Sequence, residues 1–359
     1  MARNHHLQSA ADRPGFRKPA LTLVLMASAA GLLPAADPPK AEIANGQIRV
    51  KVYLPDAANG FYRSTRFDWS GVVYSLEYKG HNYYGPWFQK IDPKVYDFGY
   101  DASGVVSPPF TAMVGPGEEY LTAGRALGYD EAKPGGTFIK IGVGVLRKTD
   151  DSRYDHSKAY DVVDGGKWKV QKGRDYIQFT QELADPATQY GYEYQKTLRL
   201  TKGAPQMVLE HRLKNTGSRP IETSMYNHNF LVLDRQPPGP DFTITVPFQM
   251  EARRAPDEKL GEVRGNQILY RKTLENEDRM AATVSGFGTT AKDYDIRVEN
   301  RKVGAGVRIT GDRPLSNLAL WSIRTVLAIE PYITITIAPG AEFSWKITYD
   351  YYTVPAAAK

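Results

Sequence analysis

Apolar and polar residues alternate with a period of two through most of this chain, and that alternation commits it to β-strands. In residues 190–200, Tyr192, Tyr194, Lys196 and Leu198 fall on one face, and Glu193, Gln195, Thr197 and Arg199 on the other. In residues 207–213, Met207, Leu209, His211 and Leu213 share a face opposed by Val208, Glu210 and Arg212. Ile333, Ile335 and Ile337 alternate with Thr334 and Thr336 before Pro339-Gly340 turns the chain into the aromatic run 343–347. Further strands are predicted over 47–54, 72–78, 138–146, 167–171, 176–183, 221–233, 242–246, 294–299, 306–310 and 317–323. No segment carries the pattern of a long amphipathic helix. So many strands without β-α-β alternation predict an all-β fold, a large antiparallel sandwich. Residues 92–136, dense in Gly and Pro, and 251–266, dense in charge, read as long loops of the kind that form functional walls or lids.

The chain has 359 residues, 42% of them apolar, enough to bury a substantial core. Residues 1–36 read as an export signal: Arg13, Arg17 and Lys18 precede the apolar run 20–33, which ends in small residues at Ala35-Ala36 before Asp37-Pro38-Pro39. The run is short and rich in Ala and Gly for a membrane span, so a cleaved signal is favoured over the alternative of an uncleaved membrane anchor, and no stable membrane insertion is expected once it is cleaved. The expected mature chain is one domain, 37–359, in the periplasm or secreted. Losing four basic side chains (Arg3, Arg13, Arg17, Lys18) and one acidic (Asp12) lowers the formal charge from +6 to about +3. The remaining charge is interspersed, which argues against a nucleic-acid partner, because phosphate binding wants clustered Lys and Arg. There is no Cys, so disulfide frameworks and thiolate chemistry are excluded. The 23 Tyr suit strand faces, and their rings also suit stacking on the C–H faces of sugars.

Two short signatures stand out, Tyr226-Asn227-His228-Asn229-Phe230 and Ile329-Glu330-Pro331. One supplies an imidazole and the other a carboxylate, a pair able to protonate one oxygen of a small polar molecule while deprotonating another. No spacing matches a zinc site, a phosphate-cradling loop, a nucleophile elbow or a dinucleotide fingerprint. Asp234 and Asp241, flanking Pro237-Pro238-Gly239, are oxygen ligands at no recognised spacing for a hard cation. Neither a cofactor nor a metal is therefore expected. His211 lies on an apolar strand face and reads as a core or sheet histidine, while His156, among Asp155, Ser157 and Lys158, reads as solvated.

The run Leu213-Lys214-Asn215-Thr216-Gly217, the Asn-His-aromatic strand end around His228, and Glu330 ahead of the Pro339-Gly340 turn and the last aromatic strand together resemble the aldose 1-epimerase (galactose mutarotase-like) superfamily. The resemblance implies a β-supersandwich whose concave face binds a sugar, with the acid histidine on His228 and the base glutamate on Glu330. Unperturbed pKa values of about 4.3 for Glu and 6.5 for His leave the first ionised and the second partly protonated near neutrality. Where the family carries His-Gly-Gly, this chain has Pro134-Gly135-Gly136, and His81 and Lys140 stand as substitutes. Arg66 is the candidate for the early arginine that grips a sugar hydroxyl, with a salt bridge to Asp68 or to a distant carboxylate as its structural alternative. Tyr226, Asn227 and Asn229 complete the substrate-binding set, along with Glu119, which the Gly115-Pro116-Gly117 turn places at the site rim. Three functions are compatible with these residues: an exported epimerase acting on a sugar or glycan, a non-catalytic carbohydrate-binding protein, and a lyase-like enzyme. In the last, Tyr226 or His228 takes a proton next to a uronate carboxyl that Arg66 neutralises.

Overall fold

The computed structural model describes residues 37–355, so the predicted export signal lies outside the described residues. Two antiparallel sheets dominate. The larger has ten strands in the spatial order Lys167–Lys172, Tyr176–Asp185, Tyr190–Leu200, Gln206–Asn215, Glu342–Thr353, Ala305–Gly311, Asp295–Asn300, Phe242–Thr245, Gln267–Tyr270 and Gly261–Arg264. The smaller has six, in the order Glu251–Arg254, Arg279–Ser285, Asn317–Ile323, Val326–Ile337, Ile221–Leu231 and Gly115–Leu121. Among the described residues helical structure is limited to two three-residue 3₁₀ turns, and no helix is long and apolar enough to cross a membrane. The all-β sandwich expected from the period-two pattern is what the chain forms.

The alternation explains the layering. Leu209, Leu213, Ile347 and Tyr349 of the large sheet meet Met225, Leu231, Ile333 and Ile335 of the small one in a single buried core. Each such fully buried side chain is worth roughly 1.5–3 kcal/mol. Polar groups that enter this layer are satisfied: Asn229 donates to the carbonyl of Ile329 at 2.8 Å and accepts from the Tyr349 hydroxyl at 2.9 Å. A second apolar cluster covers the opposite, outer face of the six-stranded sheet, with Phe67, Trp87, Met113, Phe138 and Phe230 among its members. The candidate site lies between that cluster and the sheet.

Three expectations need correction. The predicted strand over 138–146 is a hairpin of Thr137–Lys140 and Gly144–Arg147, because Gly142 turns the chain at φ +78°. The stretch 92–136 contains Gly99–Asp101, Gly104–Ser107 and Gly115–Leu121, the last a full member of the six-stranded sheet. Its Gly115-Pro116-Gly117 looks like a turn in sequence, but this strand ends the sheet, and an edge tolerates a proline that donates no hydrogen bond. The charged stretch 251–266 supplies Glu251–Arg254 and Gly261–Arg264, each the outermost strand of its sheet. Charge on such strands guards the unpaired edge against adding a foreign strand.

Gly115 opens the edge strand at φ +71°, and a Cβ there would lie 2.3 Å from the Val73 carbonyl oxygen. Gly115→Ala therefore meets both a left-handed backbone and a clash with the strand Val72–Tyr78, and is expected to lose about 2 kcal/mol or more of stability. Gly135→Ala, at φ +84° with open space around it, meets only the backbone cost of about 1 kcal/mol. Urea unfolding of both variants measures this; equal losses would contradict the close approach at Gly115.

Candidate active site

Strand register builds the site. Ile221–Leu231 and Val326–Ile337 pair with Tyr226 opposite Tyr332 and Asn229 opposite Ile329, which sets His228 across from Glu330. On the other flank of Ile221–Leu231, Glu119 lies opposite Tyr226 and Gly117 opposite His228. Beyond Glu330, Trp321 lies opposite Ala328. Because side chains alternate, Tyr226, His228 and Phe230 share the outer face with Glu119, Glu330, Tyr332 and Trp321. These residues floor a cavity of about 440 Å³, walled by Phe67, Trp87, Tyr96 and Phe98.

His228 and Glu330 touch: Nε2 lies 3.2 Å from Oε1. The imidazole stacks on Phe230 with ring centres 3.9 Å apart, and Phe67 and Trp321 meet it edge-on. Glu330 also accepts a hydrogen bond from the Tyr332 hydroxyl at 3.2 Å. Burial pushes His228 well below the usual histidine range, helped by the Arg66 charge. Burial also raises the Glu330 carboxyl to about 7, against the opposing pull of Arg66. The expectation from unperturbed values is thus reversed. At neutral pH the imidazole is uncharged, and the carboxyl is poised to give up its proton.

Beside this pair is a second, ionised group. Arg66 Nε donates to Glu119 Oε2 at 2.8 Å, and its Nη2 reaches the Tyr226 hydroxyl at 3.0 Å. Tyr226 itself donates to Glu119 Oε2. Lys140 Nζ donates to Glu119 Oε1 at 2.9 Å and to Tyr154 at 3.1 Å. Burial would raise the Glu119 carboxyl, but Lys140 and Arg66 outweigh it and hold it at about 2. Arg66 arrives on the segment before Asp68, whose backbone N–H donates to the Glu118 carbonyl at 2.8 Å and pins the segment to the sheet edge.

The remaining sequence candidates divide cleanly. Lys140 lies behind Glu119 in the protein interior and is not part of the cavity lining. Asn227 and Asn229 point the other way, into the core between the sheets, where Asn227 donates to Glu118 at 3.1 Å. Adjacent strand residues cannot share a face, so their place beside His228 in sequence excludes them from its pocket. His81 lies elsewhere, held by Asp234 at 2.6 Å in a separate surface cleft. Glu119 is buried in the floor, with 1% of its surface exposed, rather than at the rim. His211 is the buried histidine expected, its Nε2 2.8 Å from Glu118 Oε1. His156 is exposed at the mouth of the cavity. The aromatic walls were not among the sequence candidates, although Phe230 and Tyr332 lie two residues beyond His228 and Glu330 and so share their face by the strand period alone.

No protein-family model matches the chain, and no curated protein matches it in sequence. In three dimensions it is similar to a galactose mutarotase related enzyme from Lactobacillus acidophilus, with a TM-score of 0.51 at 13% identity over 89% of this chain and 99% of that one. An aldose epimerase homologue from C. elegans gives 0.51 at 14% identity over 88% and 99% of the two chains. A galactose mutarotase-like protein from Clostridium acetobutylicum gives 0.50 at 9% identity over 88% and 95%. The chain has the galactose mutarotase-like β-sandwich fold that its short motifs resemble.

A raised carboxyl pKa is also a statement about stability. Glu330 keeps its proton in the folded protein up to about pH 7, so its contribution is fully present below the unfolded value of about 4.5 and is lost as pH rises through 7. Wild type should lose about 3 kcal/mol relative to Glu330→Gln between pH 4.5 and 8. His228, shifted downward, acts in the opposite sense in both proteins and largely cancels from the comparison. Urea unfolding of the two proteins across this range measures the difference; parallel pH profiles would show that Glu330 titrates normally.

Proposed function

We propose that this protein holds a sugar in the outer-face cavity and interconverts its anomers, an aldose 1-epimerase-type isomerisation carried out by His228 and Glu330. The observation that carries this reading is the direct His228–Glu330 contact at the floor of an aromatic-walled cavity. The anomeric hydroxyl and the ring oxygen of a cyclic sugar are bonded to the same carbon. A proton acceptor and a proton donor that serve both must be neighbours, and these two are.

In the reading we favour, the sugar lies over the pair with a face against Phe230 and Trp321. Neutral His228 accepts the proton of the anomeric hydroxyl while protonated Glu330 gives its proton to the ring oxygen. The C1–O5 bond breaks, leaving an open-chain aldehyde beside an imidazolium and a carboxylate. Rotation about C1–C2 presents the other face of the carbonyl. Attack by the same hydroxyl then returns both protons and closes the second anomer. Arg66 orients a sugar hydroxyl and stabilises the Glu330 carboxylate as it forms. The lyase alternative loses one of its bases, because burial pushes the Tyr226 phenol well above its usual range and the hydroxyl is already engaged with Glu119 and Arg66.

The non-catalytic alternative separates from this one by turnover. Exchange NMR on galactose, glucose and related aldoses should show enzyme-dependent anomer interconversion, with Glu330→Gln and His228→Asn each slower by about 10²-fold or more. Rates equal to wild type in both variants would sink the mechanism, and sugar binding without any interconversion would leave a carbohydrate-binding protein. We also place the protein outside the cytoplasm, on the charged-then-apolar pattern of residues 1–36. N-terminal sequencing of the protein from its native host should find a start close to Asp37; an intact Met1 in a cytoplasmic fraction would remove this.

A further inference from the structure

The cavity holds more positive charge than its carboxylates balance. Arg66 and Lys140 share a single carboxylate, and both oxygens of Glu119 are already occupied by Arg66, Tyr226 and Lys140. Two cations against one buried anion leave positive charge in excess at the cavity floor, although burial lowers Lys140 from the usual lysine range. Arg279, solvent-exposed at the rim, adds a second guanidinium to the cavity lining from the strand Arg279–Ser285. Among the described residues no carboxylate lies within ion-pair distance of Arg279, although its neighbour Asp278 is taken by Lys272 at 2.9 Å.

The other charges of the cavity do not cancel this excess. Asp97 is exposed at the mouth, and Glu330 lies against His228, accepts from Tyr332 and keeps its proton up to about pH 7. His156, also at the mouth, is pushed below the usual histidine range by partial desolvation there, helped by the Arg66 charge. A neutral hexose would leave the Arg279 guanidinium without an ionic partner. A single negative charge on the sugar would satisfy it, and a guanidinium fork suits the paired oxygens of a carboxylate or sulfate.

Building on the isomerase reading, we propose that the sugar taken by this pocket is a monoanion, a sugar acid or a sulfated sugar, with its charged group held by Arg279 in the field of Arg66. The anion pairs with the rim arginine while C1 lies at the His228–Glu330 pair, so the charged substituent sits at the end of the sugar away from the anomeric carbon. The preference is electrostatic and therefore weakens in high salt.

Isothermal titration calorimetry on the full chain with D-glucuronate, glucose 6-sulfate and D-glucose tests this. One or both anions should bind about tenfold tighter than glucose, the scale of one charge-assisted hydrogen-bonded pair. A preference for glucuronate alone identifies the carboxylate, and one for glucose 6-sulfate alone the sulfate. In Arg279→Gln the ratio should fall to within about threefold, and Arg279→Lys should recover part of it. Equal affinities for all three sugars would overturn the anionic preference while leaving the isomerase reading standing. Binding of none of them, combined with no anomer exchange on any aldose, would remove both. An anion preference unchanged in Arg279→Gln would overturn the assignment of this arginine.

Discussion

Two adjacent carboxylates on one edge strand hold this molecule together. Glu118 and Glu119 follow each other in Gly115–Leu121, so the strand period sends one into the core between the sheets and the other into the outer cavity. Each is 1% exposed and each is held by a lysine from a different part of the chain, Glu119 by Lys140 at 2.9 Å and Glu118 by Lys196 at 2.8 Å. Removing one partner of such a buried pair costs roughly 3–5 kcal/mol, because the other charge is left without compensation. The inner group extends through His211, Tyr194 and Asp68, and the outer one through Arg66 and Tyr226. The site is therefore tied, through a single strand, to polar contacts on both faces of the sheet. The segment carrying Arg66 is held at the same place by the Asp68 backbone and side chain.

Within the cavity, two carboxyl groups are tuned in opposite directions by what surrounds them. Glu119 has two cations and a phenol, and stays ionised far into the acid range. Glu330 faces an aromatic wall and a neutral imidazole, and burial wins. Carboxyl groups pushed apart in this way take different tasks. Glu119 fixes Arg66 and Tyr226 in place and stays ionised, whereas Glu330 holds a proton it can release near neutral pH. The same logic applies on the inner face, where burial lifts Asp68 to about 6 although Lys196 opposes it, and the neighbouring Glu118 adds to the rise.

Much of this was legible in the sequence because the period of two is a geometric rule. It gave the sandwich and the strands carrying His228 and Glu330. Applied more strictly, it also separates Tyr226, His228 and Phe230 from Asn227 and Asn229, since neighbours on a strand face opposite ways. Other features were illegible for physical reasons. Gly115-Pro116-Gly117 has turn chemistry but sits in an edge strand, and only the sheet order reveals that its proline needs no partner. That hid the strand on which Glu119 becomes a buried floor residue. Lys140 and His81 stand in for the family's histidine by residue type, and residue type says nothing about burial. The lysine is enclosed behind Glu119, and the histidine is captured by Asp234. The aromatic walls come from segments far apart in the chain, so no local pattern assembles Trp87, Phe98 and Trp321.

On the proposed isomerase reading, the protonation states that burial sets at His228 and Glu330 decide how proton transfer is shared between them. A charged imidazolium facing a carboxylate would be an ion pair already formed, with little left to gain along the reaction. A neutral imidazole beside a protonated carboxyl starts uncharged, and in the proposed isomerisation charge would separate only as the sugar ring opens. The groups that meet the new charge are already in place: Arg66 and Arg279 both favour an ionised Glu330, and Glu119 favours a protonated His228. Such an arrangement stabilises the separated state more than the resting one, the differential that accelerates a reaction. The aromatic walls make the resting pair neutral and the buried cations ease its ionisation, so the apolar lining and the Arg66–Glu119–Lys140 cluster act on the same two protons from opposite sides.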